Sequence, residues 1–85
     1  MKKDIIIYDK DNNKINCDVL IEFVYDSEKY IVYTDNTIDS DGFFNLFKAH
    51  IDSDNKISDP DDVDVDMIFD KLINDYKEKV IRGEV

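Results

Sequence analysis

Asp39-Ser40-Asp41-Gly42 is the stretch of this chain that most invites a chemical reading. It lies in a loop, Thr34 to Gly42, that follows an alternating apolar run. Two other stretches, Asp9 to Asn16 and Asp52 to Ser58, each place Asp-x-Asp-Asn shortly before Lys-Ile. Alternate carboxylates beside a glycine or asparagine are what a calcium loop uses. An EF-hand loop wants oxygen ligands at positions 1, 3 and 5, glycine at 6 and a bidentate glutamate at 12. From Asp9, Lys14 falls on the glycine position and Leu20 on the glutamate position. From Asp52, Lys56 falls on a ligand position and Val63 on the glutamate position. From Asp35, Thr37 and Ser40 fall on the third and sixth positions. All three fail the pattern, and only a weak, irregular cation site at Asp39 to Gly42 is left open. The simpler expectation is a turn: Asp39 and Asp41 favour it, and Gly42 supplies a positive φ. The likeness of the Asp9 and Asp52 stretches fits two turns that each start a strand. The segments around them do not repeat, so no internal duplication is inferred.

Catalytic constellations are thin. Acid–base work needs carboxylates in environments that push their pKa values apart, and these aspartates cluster in polar loops. Ser40 and Ser53 lie in turns with no sign of an activating base. A Cys17–His50 pair is conceivable, since both residues fall on strands. Cys17, however, sits within an apolar alternation, where a buried, inert thiol is expected. There is no Gly-rich phosphate loop and no Walker lysine. The expectation is a protein that is not an enzyme and carries no cofactor.

Charge narrows the partners. The chain has 85 residues, 21 acidic and 11 basic, for a net charge of −10. Asp35 to Asp66 alone holds ten Asp and two Lys. A field of this sign repels phosphates and anionic lipid and attracts basic surfaces. Direct nucleic-acid binding and membrane binding are therefore not expected. Tyr25, Tyr30 and Tyr33 read as packing residues rather than base-stacking platforms. With a single cysteine and a single histidine, neither an internal disulfide nor a zinc cage can form. The apolar run after Lys2 and Lys3 ends at Tyr8, too short for a signal-peptide core, and no stretch is long enough to span a bilayer. A cytoplasmic location is expected.

The elements that would position these residues follow from period. The length allows one small α+β domain, 1–85. Strands are expected over about 4–8, 14–25, 29–34 and 43–51. The second is the clearest: Ile15, Cys17, Val19, Ile21, Phe23 and Tyr25 alternate with a more polar set, as on one face of a half-buried strand. Short turns, among them Asp9 to Lys14 and Asp26 to Lys29, imply a four-stranded antiparallel meander. The period then changes. Val65, Ile68, Phe69, Leu72, Ile73, Tyr76 and Val80 form one stripe of a helix over about 64–82. Asp64 is the expected N-cap, with Val63 and Ile68 as a hydrophobic staple. This amphipathic helix is expected to pack on one face of the sheet.

"VLIEF" (Val19 to Phe23), "KYIVYTDNTIDSDGFFNLF" (Lys29 to Phe47), an acidic loop and a C-terminal helix resemble, in that order, the domain-of-unknown-function 1292 family of short acidic bacterial proteins. Tyr30, Val32, Tyr33, Thr34 and Asp35 match its most recognisable strand, and the resemblance runs from Ile5 to Val80. The chain departs from the family's Glu-Trp at the start of the last helix, where it has Asp64-Val65, and has His50 where a basic residue is expected. The resemblance implies a fold and a bacterial, cytoplasmic setting, and no activity.

The reading that follows is an uncharacterised small acidic protein, an interaction or regulatory module. Its partner would be a basic protein or a second copy. An acidic surface of Asp35, Asp39, Asp41, Asp52, Asp54, Asp59, Asp61 and Asp62 would meet the basic partner. An apolar face of Leu20, Val24, Tyr30 and Val32, if it is the one the helix leaves uncovered, would serve a dimer or the partner. The alternatives are an acidic mimic of nucleic acid that blocks a DNA- or RNA-binding protein and, behind it, a weak metal-binding protein.

Overall fold

The computed structural model describes residues 3–83. Five strands and one helix follow in order: β1 (Lys3–Tyr8), β2 (Lys14–Tyr25), β3 (Glu28–Thr34), β4 (Phe47–Ile51), β5 (Ile57–Ser58) and α1 (Val63–Ile81). The strands pair antiparallel in chain order, so the α+β meander is as expected, with one more strand. The additional strand, β5, is only two residues long and pairs with His50 and Ile51. Two residues are too few to show a period. The expected fourth strand also starts later, at Phe47. Residues 35–46 instead form a loop pinned by an isolated bridge, Ile38 to Phe44, and by Asn45 N–H donating to the Thr37 carbonyl at 2.9 Å.

The β2–β3 turn is tighter than Asp26 to Lys29. Asp26 and Ser27 both have positive φ, 53° and 64°, and Tyr25 pairs directly with Glu28. That is the two-residue hairpin whose twist matches its strands. The sheet then curls. Tyr8 forms a parallel bridge with Lys56, and its N–H donates to the Asn55 carbonyl at 2.9 Å. The Asn55 side chain returns a bond to the Ile6 carbonyl at 3.2 Å. The end of β1 is thereby stitched to the β4–β5 turn, and the edge groups of β1 there are satisfied rather than left open.

A curled sheet has an inner and an outer face, and each has its own core. Ile7, Cys17, Val19, Ile31, Ala49 and Ile51 fill the inside, with Ile5, Ile15, Tyr33 and Ile57 around them. Tyr30, Val32, Val65 and Phe69 form the outer core, with Ile21, Phe23, Tyr25, Leu46 and Ile73. The helix covers this outer core, with Val65 and Phe69 fully buried one turn apart.

The long strand does not present one continuous apolar face. Its pairing shifts between Val19, opposite Tyr33, and Ile21, opposite Val32. Leu20 is the extra residue of a β-bulge, and a bulge resets the alternation. Ile15, Cys17 and Val19 therefore point into the curl, while Ile21, Phe23 and Tyr25 point to the helix.

Helix capping is displaced as well. Asp62, not Asp64, is the N-cap, accepting from the Asp64 amide at 2.8 Å and the Val65 amide at 3.4 Å. Val63 is left exposed, so the expected staple does not form. Asp64 and Asp66 fall in the first turn and Lys79 in the last, as the helix dipole favours. Among the described residues, no helix is long and apolar enough to cross a membrane.

Candidate interaction surface

The aspartates of the three Asp-x-Asp stretches share one local structure. Asp9 Oδ1 accepts from the amides of Asp11 and Asn13, each at 2.9 Å. Asp39 Oδ1 accepts from those of Asp41 and Phe43, at 2.9 and 3.0 Å. Asp52 Oδ1 accepts from those of Asp54 and Lys56, each at 2.9 Å. In each loop the fourth residue (Asn12, Gly42 or Asn55) has positive φ, and its N–H donates to the first residue's carbonyl. The first aspartate is thus the internal brace of a five-residue turn. The likeness between the Asp9 and Asp52 stretches comes from this shared turn, and Asp39 to Phe43 is a third copy.

These bonds aim a carboxylate oxygen back into its own loop. Among the described residues, no group of three or more His, Cys, Asp or Glu side chains is placed to hold a metal ion. A calorimetric calcium titration is expected to show no saturable site below about 1 mM, the weak end of natural calcium sites. A sharp stoichiometric isotherm would overturn that expectation.

The eight aspartates of the expected acidic surface divide accordingly. Asp35 accepts from the Thr37 amide at 3.0 Å and the Thr37 hydroxyl at 2.6 Å. Asp39 and Asp52 brace turns, and Asp62 caps the helix. Asp41, Asp54, Asp59 and Asp61 are exposed. Asp35 and Asp9 have a pH signature. The Thr37 hydroxyl, then its amide, hold the Asp35 carboxyl below its ordinary value. The amide of Asn13 does the same for Asp9. A carboxyl with a depressed folded pKa stabilises the fold fully above its unfolded value, near pH 4, and loses that contribution as pH falls through the folded value. Asp9→Asn and Asp35→Asn variants should therefore show a shallower acid limb below pH 4 in denaturation midpoint against pH. Parallel limbs in variant and parent would show that the braces are not coupled to folding.

A second acidic group, drawn from separate parts of the chain, acts on two tyrosines. The Tyr25 hydroxyl donates to Asp64 Oδ2 at 3.1 Å, and this bond, with the charges of Asp64, Asp62 and Asp26, raises the Tyr25 pKa. Burial, then the charges of Asp62, Glu28, Asp26 and Asp61, raise that of Tyr30. Pairing of Tyr25 with Glu28 across the β2–β3 turn, the Tyr25–Asp64 bond and the Asp62 cap thus bring Asp26, Glu28, Asp62 and Asp64 near one another, with Asp61 beside Asp62 in the chain. Beside them, His50 Nε2 lies 2.7 Å from Glu28 Oε2, and its Nδ1 lies 3.2 Å from Ser58 Oγ. The carboxylate only accepts, so Nε2 carries a proton, and in the neutral ring Nδ1 accepts from the Ser58 hydroxyl. The ring stands edge-on to Tyr30, with centroids 5.4 Å apart. The chain spans β3, β4 and β5 and ties the two-residue strand to the sheet. No local spacing announces it, because Glu28 and Ser58 are brought to His50 only by strand pairing.

Cys17 and His50 do not form the conceivable pair. Cys17 lies in the inner core, and His50 packs beside Tyr30 of the outer one. Burial first, and the charge of Asp18 second, push the Cys17 thiol up to about 11. Native labelling by a water-soluble disulfide reagent at pH 8 should be at least roughly a hundredfold slower than in denaturant, since a buried thiol is mostly protonated and out of reach. Comparable rates would mean that the inner core opens readily.

The expected apolar face is dispersed. Tyr30 and Val32 are buried in the outer core, on the face that the helix covers. Leu20 sits at the bulge, partly buried, and Val24 stands alone at 69% exposure. The reason is the bulge together with the curl, which encloses the face the helix does not cover.

Comparison with protein-family models, with curated proteins and with solved structures finds no match to this chain.

Proposed function

We propose that this chain is a small non-enzymatic interaction protein of a bacterial cytoplasm, of the short acidic family it resembles, and that its partner is a basic protein. One observation carries the reading: the Tyr25 hydroxyl joins the β2–β3 hairpin, which carries Asp26 and Glu28, to Asp64 and so to the N-cap Asp62, and the charges of Asp26, Glu28, Asp61 and Asp62 reach Tyr30. Like charges gathered on rigid elements repel one another, and a cationic surface relieves that repulsion. The partly accessible tyrosine beside them suits an interface core ringed by charge. A homodimer is the weaker form of the proposal, because the apolar face that favoured it is dispersed and a net charge of −10 opposes self-association.

The test is affinity capture at low and high salt, followed by kinetics on the captured protein with a charge-reversed Asp26→Lys/Asp61→Lys variant. A basic partner should bind the parent roughly tenfold or more faster at low salt than at high salt, and lose most of that advantage with the variant. Salt-independent binding, or binding that the variant leaves intact, refutes the reading. Sedimentation of the chain alone across the same series covers the dimer, which should tighten rather than loosen as salt screens the repulsion.

A further inference from the structure

The helix covers only part of the outer face. Over β1 and the first half of β2 lies an open-sided cavity of about 780 Å³, lined by Ile6, Tyr8, Asn16, Asp18, Asn36 and Asn55 among others. Asn16 and Asp18 project from one side of β2, and Ile6 lies opposite Asn16 in the β1–β2 register. Asp18 is only 7% exposed, beside the fully buried Thr34 of the neighbouring strand. The two outer asparagines are set by the backbone. Both have positive φ, 69° at Asn36 and 61° at Asn55. The Asn36 amide donates to Thr34 Oγ1 at 3.1 Å, and Asn55 is stitched to β1 through Ile6 and Tyr8. The cavity is therefore largely preformed, which lowers the ordering cost of filling it.

Its lining has a distinct chemistry. One deeply placed carboxylate and three carboxamides offer a surplus of oxygen acceptors, and Ile6 and Tyr8 give apolar surface at the side. An anion would be repelled, and a purely apolar ligand would take the carboxamides out of water without replacing their hydrogen bonds. A cationic head on an aliphatic stem satisfies both parts, with the stem against Ile6 and Tyr8 and the head toward Asp18 and the carboxamide oxygens. We infer that this cavity receives a lysine or arginine side chain of the basic protein partner. Asp18 has an interaction of its own in the free chain, so the incoming cation joins or exchanges with it. The inference rests on the proposed reading that the partner is basic, and adds where one of its side chains enters.

The test is a nuclear magnetic resonance titration of the isotope-labelled full chain at low salt. The probes are acetyl-Gly-Arg-Gly-amide and acetyl-Gly-Lys-Gly-amide, with acetyl-Gly-Gln-Gly-amide as the neutral control. Saturable shifts of the Asn16, Asn36 and Asn55 side-chain amides with either basic probe, absent with the control, are expected. Asn16→Phe, at an exposed strand position, should fill the cavity, keep the fold and abolish the shifts. Asp18→Asn should weaken binding roughly tenfold or more, as loss of a charged hydrogen bond does. Shifts confined to Asp26, Asp61, Asp62 and Asp64 would sink the cavity and leave the basic-partner reading standing. No shift anywhere with either basic probe, in a chain that captures a basic protein in the salt series, would likewise sink the cavity alone. The same silence without any such capture would sink both. Should Asp18→Asn fail to fold, Asn16→Phe decides: binding retained in that variant overturns the inference.

Discussion

Removing residues 63–85 is expected to leave a chain with no cooperative unfolding transition. The helix is the lid of the outer core, and without it Tyr30, Val32, Ile21 and Phe23 face water. Phe69 anchors the lid. Its ring meets Phe23 edge-on at 5.0 Å and Tyr30 at 6.1 Å, while Phe23 and Tyr30 stack at 5.4 Å. Burying each large apolar side chain is worth about 1.5–3 kcal/mol, and a domain's net stability is only about 5–15 kcal/mol. Losing Val65, Phe69 and Ile73 together, with the sheet side chains they cover, consumes a margin of that size. Phe69→Ala alone should cost about 3–5 kcal/mol, the usual range for a buried aromatic. Urea denaturation followed by circular dichroism reads both. A truncated chain that still melts in one sharp transition would mean that the inner core suffices and the helix is accessory.

The second large effect concerns the bulge. Deleting Leu20 should leave a folded protein, whereas deleting Ile31 should not. Without Leu20, Val19 and Ile21 become consecutive residues opposite Tyr33 and Val32, which are already consecutive. Each side chain keeps its face, and the cost is the lost bend and one partly buried leucine, about 1–3 kcal/mol. Ile31 lies mid-strand in β3, paired with Glu22 on one side and Ala49 on the other. Its deletion shifts one half of β3 by a residue, so either Tyr30 leaves the outer core or Val32 and Tyr33 exchange faces. Thermal melts and amide chemical-shift dispersion of the two variants distinguish the cases. If both deletions unfold the chain, the bulge is a curvature device the sheet cannot close without. If both are tolerated, the assigned register is wrong.

Local chemistry was legible wherever neighbours in sequence are also neighbours in space. The bounds of β2 follow from its alternation, and the helical stripe from its spacing, because both periods are properties of a few successive residues. The turn role of Asp39 and Gly42 was legible for the same reason. So was the kinship of the Asp9 and Asp52 stretches, although only the hydrogen bonds show that Asp39 belongs with them.

Tertiary structure decided what needs distant partners. Alternation says that successive side chains take opposite faces, but not where a bulge resets the count; Leu20 is a bulge because β3 pairs past it. Once the count is reset, Val19 and Ile21 belong to different cores, and the single apolar face read from their spacing does not exist. A two-residue strand such as β5 exists only because β4 pairs with it and Tyr8 bridges to Lys56 just before it. The acidic group around Tyr25 and Tyr30, the Glu28–His50–Ser58 chain and the Asp18 cavity each join residues from separate elements. Composition alone made the chain acidic, since charge is a sum over residues. Where that charge gathers depends on which strands the backbone hydrogen bonds bring together, and no local spacing carries that information.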